Sequence, residues 1–188
     1  MSKLLLYAVF HANLNFSYIA PDLFPQILQR CYWPLLKLVE DKKIPLGLEF
    51  NAYTLELVHQ LDPSFTKELA RLWEQGDCEV VGSGYVQSIM PLIPAKVNSE
   101  NLRIGNQVYE DLLGRRPTVA YVNEQVYSAS LPEHYWEAGY RTMIVNWDSA
   151  VHLHDQPELM YQPCAVPVGE DGRMTVLWHC TTAYRDFQ

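Results

Sequence analysis

The sequence predicts a parallel α/β barrel. Short, nearly continuous apolar runs rich in β-branched and aromatic residues alternate with segments of helical spacing, as strands covered on both faces require. The strand–helix–strand order recurs along the chain, which implies right-handed crossovers between parallel strands. A third observation favours a barrel over a doubly wound sheet: there is no dinucleotide or phosphate glycine motif. "GSGY" at 82–85 is not G-x-G-x-x-G and opens no phosphate-cradling helix.

The predicted strands are "KLLLYAVF" (3–10), "PLGLEF" (45–50), "CEVVGSG" (78–84), "TVAYVNE" (118–124), "TMIVNW" (142–147) and "TVLWHC" (175–180). The first helical segment is "FPQILQRCYWPLLKLVEDKK", with Ile27, Leu28, Cys31, Leu35, Leu38 and Val39 on one side and an expected kink at Pro34. "AYTLELVHQL" and "SFTKELARLWEQG" follow the second strand. Asp62 is placed to cap the latter helix with Pro63 at its first position, and Gly76 to end it. "NSENLRIGNQVYEDLLG" closes on Gly114 and "LPEHYWEAG" on Gly139. No repeat or flexible linker interrupts the 188 residues, so residues 1–188 read as one domain. A complete eight-fold barrel takes about 250 residues. About six strands therefore predict an incomplete barrel, part of a longer protein.

Composition narrows the partners. The net charge of −8 argues against nucleic acid and anionic membrane surfaces, whose phosphates need a basic field. The apolar amino-terminal run is short and lacks a small-residue cleavage site, and no stretch reaches the ~20 apolar residues of a membrane span. Cys31, Cys78, Cys164 and Cys180 are scattered without C-x-x-C, which points to a reduced, cytoplasmic protein without cysteine-held zinc. Five Trp and twelve Tyr supply aromatic surface of the kind on which sugar rings stack, although most such residues serve cores.

In parallel α/β folds, chemistry collects beyond the carboxyl ends of strands. Here those ends carry His11, Asn13 and Asn15; Glu49 and Asn51; Ser83, Tyr85 and Gln87; Asn123 and Glu124; Asn146, Trp147 and Asp148; and His179. Asn13, Asn51 and Ser83 also suit turns and caps, and His179 suits a satisfied core histidine. Glu79 opens its strand, so it is either surface charge on the opposite rim or an inward carboxylate. Glu124, between Tyr121 and Tyr127, is the harder residue to explain structurally, because a carboxylate there is costly unless used. His152, His154 and Asp155 form a chelating-looking trio in a polar loop with no second anchoring segment. No nucleophile-elbow serine or cysteine appears.

The segments "FHANLNFSYI", "GDCEVVGSGYVQSIMPLIP" and "GRRPTVAYVNEQVYS" resemble, in order and spacing, the first three conserved regions of glycoside hydrolase family 57. The resemblance spans residues 3 to about 150. It implies that the chain is the amino-terminal part of a longer catalytic domain, an incomplete (β/α)7-type barrel with retaining chemistry on α-glucans, by hydrolysis or transglycosylation, without cofactor or metal. It implies Glu124 as the catalytic nucleophile and Tyr121 as a stacking platform. His11 and Glu79 become substrate-binding residues, with Asn13 and Trp147 further candidates to line the site. His11, Glu79 and Glu124 are accordingly expected to share one pocket. The sequence departs from the family pattern at Asn13, where a second histidine is frequent, and at Gly84 and Tyr85. The family's general acid, an aspartate in a fourth region, has no match: Asp148 is too early and Asp186 lies in no such context. The implied partner is an oligo- or polysaccharide, and the oligomeric state is left open. Alternatives are a non-catalytic carbohydrate-binding or regulatory barrel, and a metal-dependent polysaccharide deacetylase whose motif is missing.

Overall fold

A computed structural model describes residues 7–149 and 157–179. Seven strands form one sheet: β1 (Val9–Ala12), β2 (Leu46–Phe50), β3 (Cys78–Gly82), β4 (Val119–Tyr121), β5 (Thr142–Asn146), β6 (Cys164–Val168) and β7 (Gly172–His179), in the spatial order β1-β2-β3-β4-β5-β7-β6. All neighbours are parallel except β6 and β7. The sheet is open, with β1 and β6 at its ends. The helices are α1 (Phe24–Ile27), α2 (Trp33–Lys42), α3 (Ala52–Leu61), α4 (Pro63–Glu74), α5 (Ala95–Leu113) and α6 (Leu131–Glu137). Among the described residues, no helix is long and apolar enough to cross a membrane.

The register divides the sheet into two faces, because partners in parallel neighbours project the same way. Leu46, Leu48, Phe50, Cys78 and Val80 pack against Leu36, Leu55, Phe65, Leu69 and Leu72 of the helices. Ala120, Met143, Val145 and Val176 pack against Leu102, Leu131, Tyr135 and Tyr140. The opposite face carries His11, Glu49, Val81, Val119 and Tyr121, linked by the register. Val81 and Ile144 are buried on that face and join neither core cluster. Three strand spacings would hold β1 and β4 about 14 Å apart in a flat sheet. Instead, the rings of His11 and Tyr121 stack with centroids 5.8 Å apart, so the sheet curls and this face is the inner wall of a barrel.

Three sequence expectations are revised. β6 is an additional strand that the apolar pattern does not show, because Pro167 breaks it. A proline is tolerated there since β6 is an edge strand, paired only to β7. The irregularity expected at Pro34 takes the form of a π-helical turn just before it. This turn, Leu28–Tyr32, leaves Pro34 in the first turn of α2, where its missing N–H is harmless. β4 ends at Tyr121 rather than running to residue 124, so Glu124 sits in the turn beyond the strand.

The local stop and start signals act as expected. Asn51 caps α3 by accepting from Thr54 N at 2.9 Å. Gly114 ends α5 at φ +77, a left-handed conformation that costs glycine little. Asp62 caps α4, accepting from Ser64 N at 3.0 Å and from Trp33 Nε1 at 3.0 Å. The Ser64 hydroxyl and these further donors hold its carboxyl below the ordinary carboxylate range. Asp62→Ala should therefore cost about 1 kcal/mol and lower the melting temperature at neutral pH by roughly 2–4 °C. The contribution is present above the unfolded carboxylate's pKa and is lost as pH falls through the depressed folded value. Thermal melts of both proteins should thus converge in strong acid; a gap that persists at low pH would show that packing, not the cap, was lost.

Candidate active site

The polar centre of the inner wall is built on β1, β2 and the loop after β3. His11 lies within β1, level with Glu49 of β2. Glu49 is fully buried, and its two carboxylate oxygens accept from His11 Nδ1 and Ser83 Oγ. On the other side of the ring, Gln87 Nε2 lies 3.0 Å from His11 Nε2, and Gln87 Oε1 accepts from Asn13 Nδ2 at 3.1 Å. Asn13 also fixes its own turn, with Oδ1 accepting from Phe16 N at 3.0 Å and Nδ2 donating to Phe16 O at 2.8 Å. Burial lowers the pKa of His11, but the Glu49 hydrogen bond and charge, with the charge of Glu124, outweigh it and raise the value above that of ordinary histidine.

The loop carrying Gln87 is clamped from α5. Asn101 Oδ1 accepts from Tyr85 N at 3.1 Å and Val86 N at 2.8 Å, and its Nδ2 donates to Val86 O at 3.0 Å. Tyr109, also on α5 and completely buried, donates to Phe50 O at 2.5 Å and accepts from Ser83 N at 3.2 Å. It ties the ends of β2 and β3 together. Asn123 donates to Ser83 O at 2.7 Å and brings the end of β4 to the same place. Glu124 follows, exposed, at φ +55, with Gln125 also at φ +55. Two successive non-glycine residues in the left-handed region cost on the order of 1–2 kcal/mol each. Such strain is commonly retained where a side chain must be aimed.

Of the residues expected at the site, His11, Asn13 and Tyr121 are brought together, and the charge of Glu124 reaches His11. Two are placed elsewhere. Glu79 shares the register of the inner face, paired with Gly47, but it is exposed and lies two residues before Val81, the partner of Glu49. That puts it about 6.6 Å toward the opposite rim. Its carboxylate accepts from Trp73 Nε1 at 3.3 Å at the end of α4, rather than from His11. The expectation that Glu79 shares a pocket with His11 is therefore corrected: a strand's first residues point to the wrong end of the barrel. Trp147 is only 4% exposed, with its ring edge-on to Trp178 at 5.1 Å, so it offers a sugar almost no surface.

Glu49, Ser83 and Gln87 stand out in the structure although the sequence shows them only as polar strand ends. The available signal was an acid inside the apolar run "LGLEF", which is tolerable only if partnered. Near the ends of β5 and β7, His179 pairs in register with Asn146. Burial depresses its pKa, opposed by the charge of Asp148. Among the described residues, no group of three His, Cys, Asp or Glu side chains could hold a metal. His152, His154 and Asp155, as well as Cys180 and Asp186, lie outside the described residues.

Comparison with known proteins agrees with this architecture. The chain is 23% identical over 133 residues to α-amylase 1 of Dictyoglomus thermophilum, covering 70% of this chain and 19% of that protein. It is 22% identical over 133 residues to the 4-α-glucanotransferase of Thermococcus litoralis, again covering 70% and 19%. The crystal structure of a 4-α-glucanotransferase from T. litoralis superposes with a TM-score of 0.79 at 19% identity, covering 95% of this chain and 28% of that one. The chain thus spans about a fifth of the length of the curated relatives it matches. The family model for glycosyl hydrolase family 57 matches residues 11–176, from the histidine of β1 into the last parallel strand, and the chain belongs to that family.

Proposed function

We propose that this chain carries the nucleophile side of a retaining site for α-glucans, with Glu124 as nucleophile and His11, Asn13 and Tyr121 as sugar-binding residues. The observation that supports it is the gathering of β1, β2, β3 and β4 ends around His11, with the charge of Glu124 acting on that ring. Tyr53 and Tyr85, with ring centroids 5.6 Å apart, and Phe16, 6.5 Å from Tyr53, form an aromatic lip beside Asn13 on which further glucose units can stack.

In the first step a Glu124 oxygen attacks the anomeric carbon, forming a glycosyl ester as the glycosidic C–O bond breaks. The leaving oxygen takes a proton from a second carboxyl. In the second step water or a sugar hydroxyl attacks the anomeric carbon, the bond from that carbon to the Glu124 oxygen breaks, and the same second carboxylate removes the attacking group's proton. Retaining chemistry of this kind sets the two carboxyls about 5–5.5 Å apart. Glu49 is not that second group, since both its oxygens are engaged by His11 and Ser83. We assign the acid–base role to no described residue. Three of the scattered cysteines, Cys31, Cys78 and Cys164, are free, which is compatible with a cytoplasmic setting.

The test is covalent trapping in the full-length protein. A 2-deoxy-2-fluoro glucosyl donor slows the second step more than it prevents the first, so the ester should accumulate. Digestion and mass analysis should then locate the adduct on the peptide containing "YVNEQVYS". An adduct on any other carboxylate would remove Glu124 from the role.

A further inference from the structure

We propose that Glu49 is a positioning residue for the reaction assigned above, one that sets the orientation, tautomer and charge of His11 through Nδ1. The inference rests on that functional reading for its consequence, but not for its geometry. Glu49 is 0% exposed, one residue before the carboxyl end of β2. A carboxylate there, without compensation, would cost several kcal/mol of desolvation. The structure compensates it with a hydroxyl on one oxygen and an imidazole on the other, and His11 is its ion-pair partner among the described residues. If only the stability of β1 against β2 were at stake, an apolar pair would do as well or better.

The arrangement has a direction. With Nδ1–H held by Glu49, the atom that His11 presents to the barrel mouth is Nε2, and Gln87 Nε2 sits 3.0 Å from it. Gln87 is itself oriented by Asn13, which donates to its Oε1. In neutral His11, Nε2 accepts from Gln87. In protonated His11, both facing atoms are donors, and Nε2–H must find another acceptor. A sugar hydroxyl lying between His11 and Glu124 would supply one. Glu49 thus favours the form of His11 that releases Gln87 and turns toward substrate.

The groups around this pair act the same way or are silent. Facing His11 are Glu49 from β2, Glu124 from the turn after β4, Tyr121 from β4 and Gln87 from the loop after β3. The phenols of Tyr32, Tyr109, Tyr135 and Tyr140, buried in the core layers, are pushed up chiefly by burial and further by the charge of Glu49, and stay neutral through the working range. These tyrosines therefore do not compete with His11, whose pKa is raised, for a proton near neutrality. Because its folded pKa is raised, the pair's contribution to stability is full below the pKa of unfolded histidine and fades as pH rises through the folded value.

Two measurements on the full-length protein test this. The first is nitrogen NMR of the wild type labelled only at histidine, with the His11 signals assigned from a His11→Gln sample. Neutral His11 should carry its proton on Nδ1 and titrate above ordinary histidine. A neutral ring protonated at Nε2, or a ring titrating at the ordinary value, overturns the proposal, and this arm needs no variant of Glu49. The second compares Glu49→Gln with wild type. The amide can still accept from Nδ1–H but has lost the charge, so the His11 titration and the alkaline limb of kcat against pH should both move down. kcat at neutral pH should fall about 10–100-fold with a smaller change in KM, the usual scale for a residue supporting a contact side chain. Glu49→Asp, which restores the charge, should recover part of the shift. A Glu49→Gln protein with a lowered melting temperature but an unmoved His11 titration and pH limb would mean a purely structural residue. Failure of the Glu124 assignment would leave the His11 titration unaffected, so the two outcomes can be told apart.

Discussion

Glu124→Gln in the full-length protein should lower kcat by about 10³-fold or more while leaving the melting temperature where it was. The amide is close in shape to the carboxylate but cannot form the glycosyl ester, so the covalent step is lost rather than slowed. The fold should be indifferent, because the side chain is exposed and both residue types carry a similar penalty at φ +55. Retention of more than roughly a few per cent of wild-type kcat is incompatible with a nucleophile. Equal loss of folding and activity would make the experiment one about the strained turn instead, and the trapping result would then decide the role.

Gly105→Ala should destabilise the protein by about 2 kcal/mol or more, a fall in melting temperature of roughly 4–8 °C. Helix propensity argues the other way, since alanine gains about 1 kcal/mol over glycine inside a helix such as α5. The close approach decides the sign. A Cβ on Gly105 would lie 2.6 Å from the carbonyl carbon of Gly84 and 2.7 Å from Tyr85 N, backbone atoms that cannot rotate aside. The loop after β3 must then move away from α5, loosening the Asn101 clamp and Gln87 with it. A variant that melts higher than wild type would show that the loop yields freely and that Gly105 does not hold it.

Much of the scaffold was legible because its signals are local. Asp62 followed by Pro63, Asn51 three residues before Thr54, and Gly114 and Gly139 after apolar-periodic segments each act within one helical turn. The strand runs were equally plain, since strands covered on both faces leave few polar residues. The hairpin of β6 and β7 escaped because its edge strand contains Pro167, which a local pattern treats as a breaker although an edge strand tolerates it. Of the candidate site residues, His11 and Glu124 were legible as polar groups at strand ends. Glu79 and Trp147 were legible only as types: both are chemically suited to a sugar, yet one points to the far end of the barrel and the other is buried against Trp178.

What the sequence by itself determined was the order of the parallel strands and the helices, the ends at which polar groups collect, and the family pattern that "YVNEQVYS" carries. These follow from periodicity, caps and short motifs, all of which act between residues close in the chain. Only the tertiary structure decided that Glu49, rather than Glu79, stands behind His11, and that Ser83 and Gln87 complete the group. Register in a parallel sheet is set by how the strands of distant segments pack, and a shift of two residues moves a side chain about 6.6 Å along the barrel. Nothing in the local sequence of β2 or β3 encodes that alignment; the packing of their outer faces against α2, α3, α4 and α5 does.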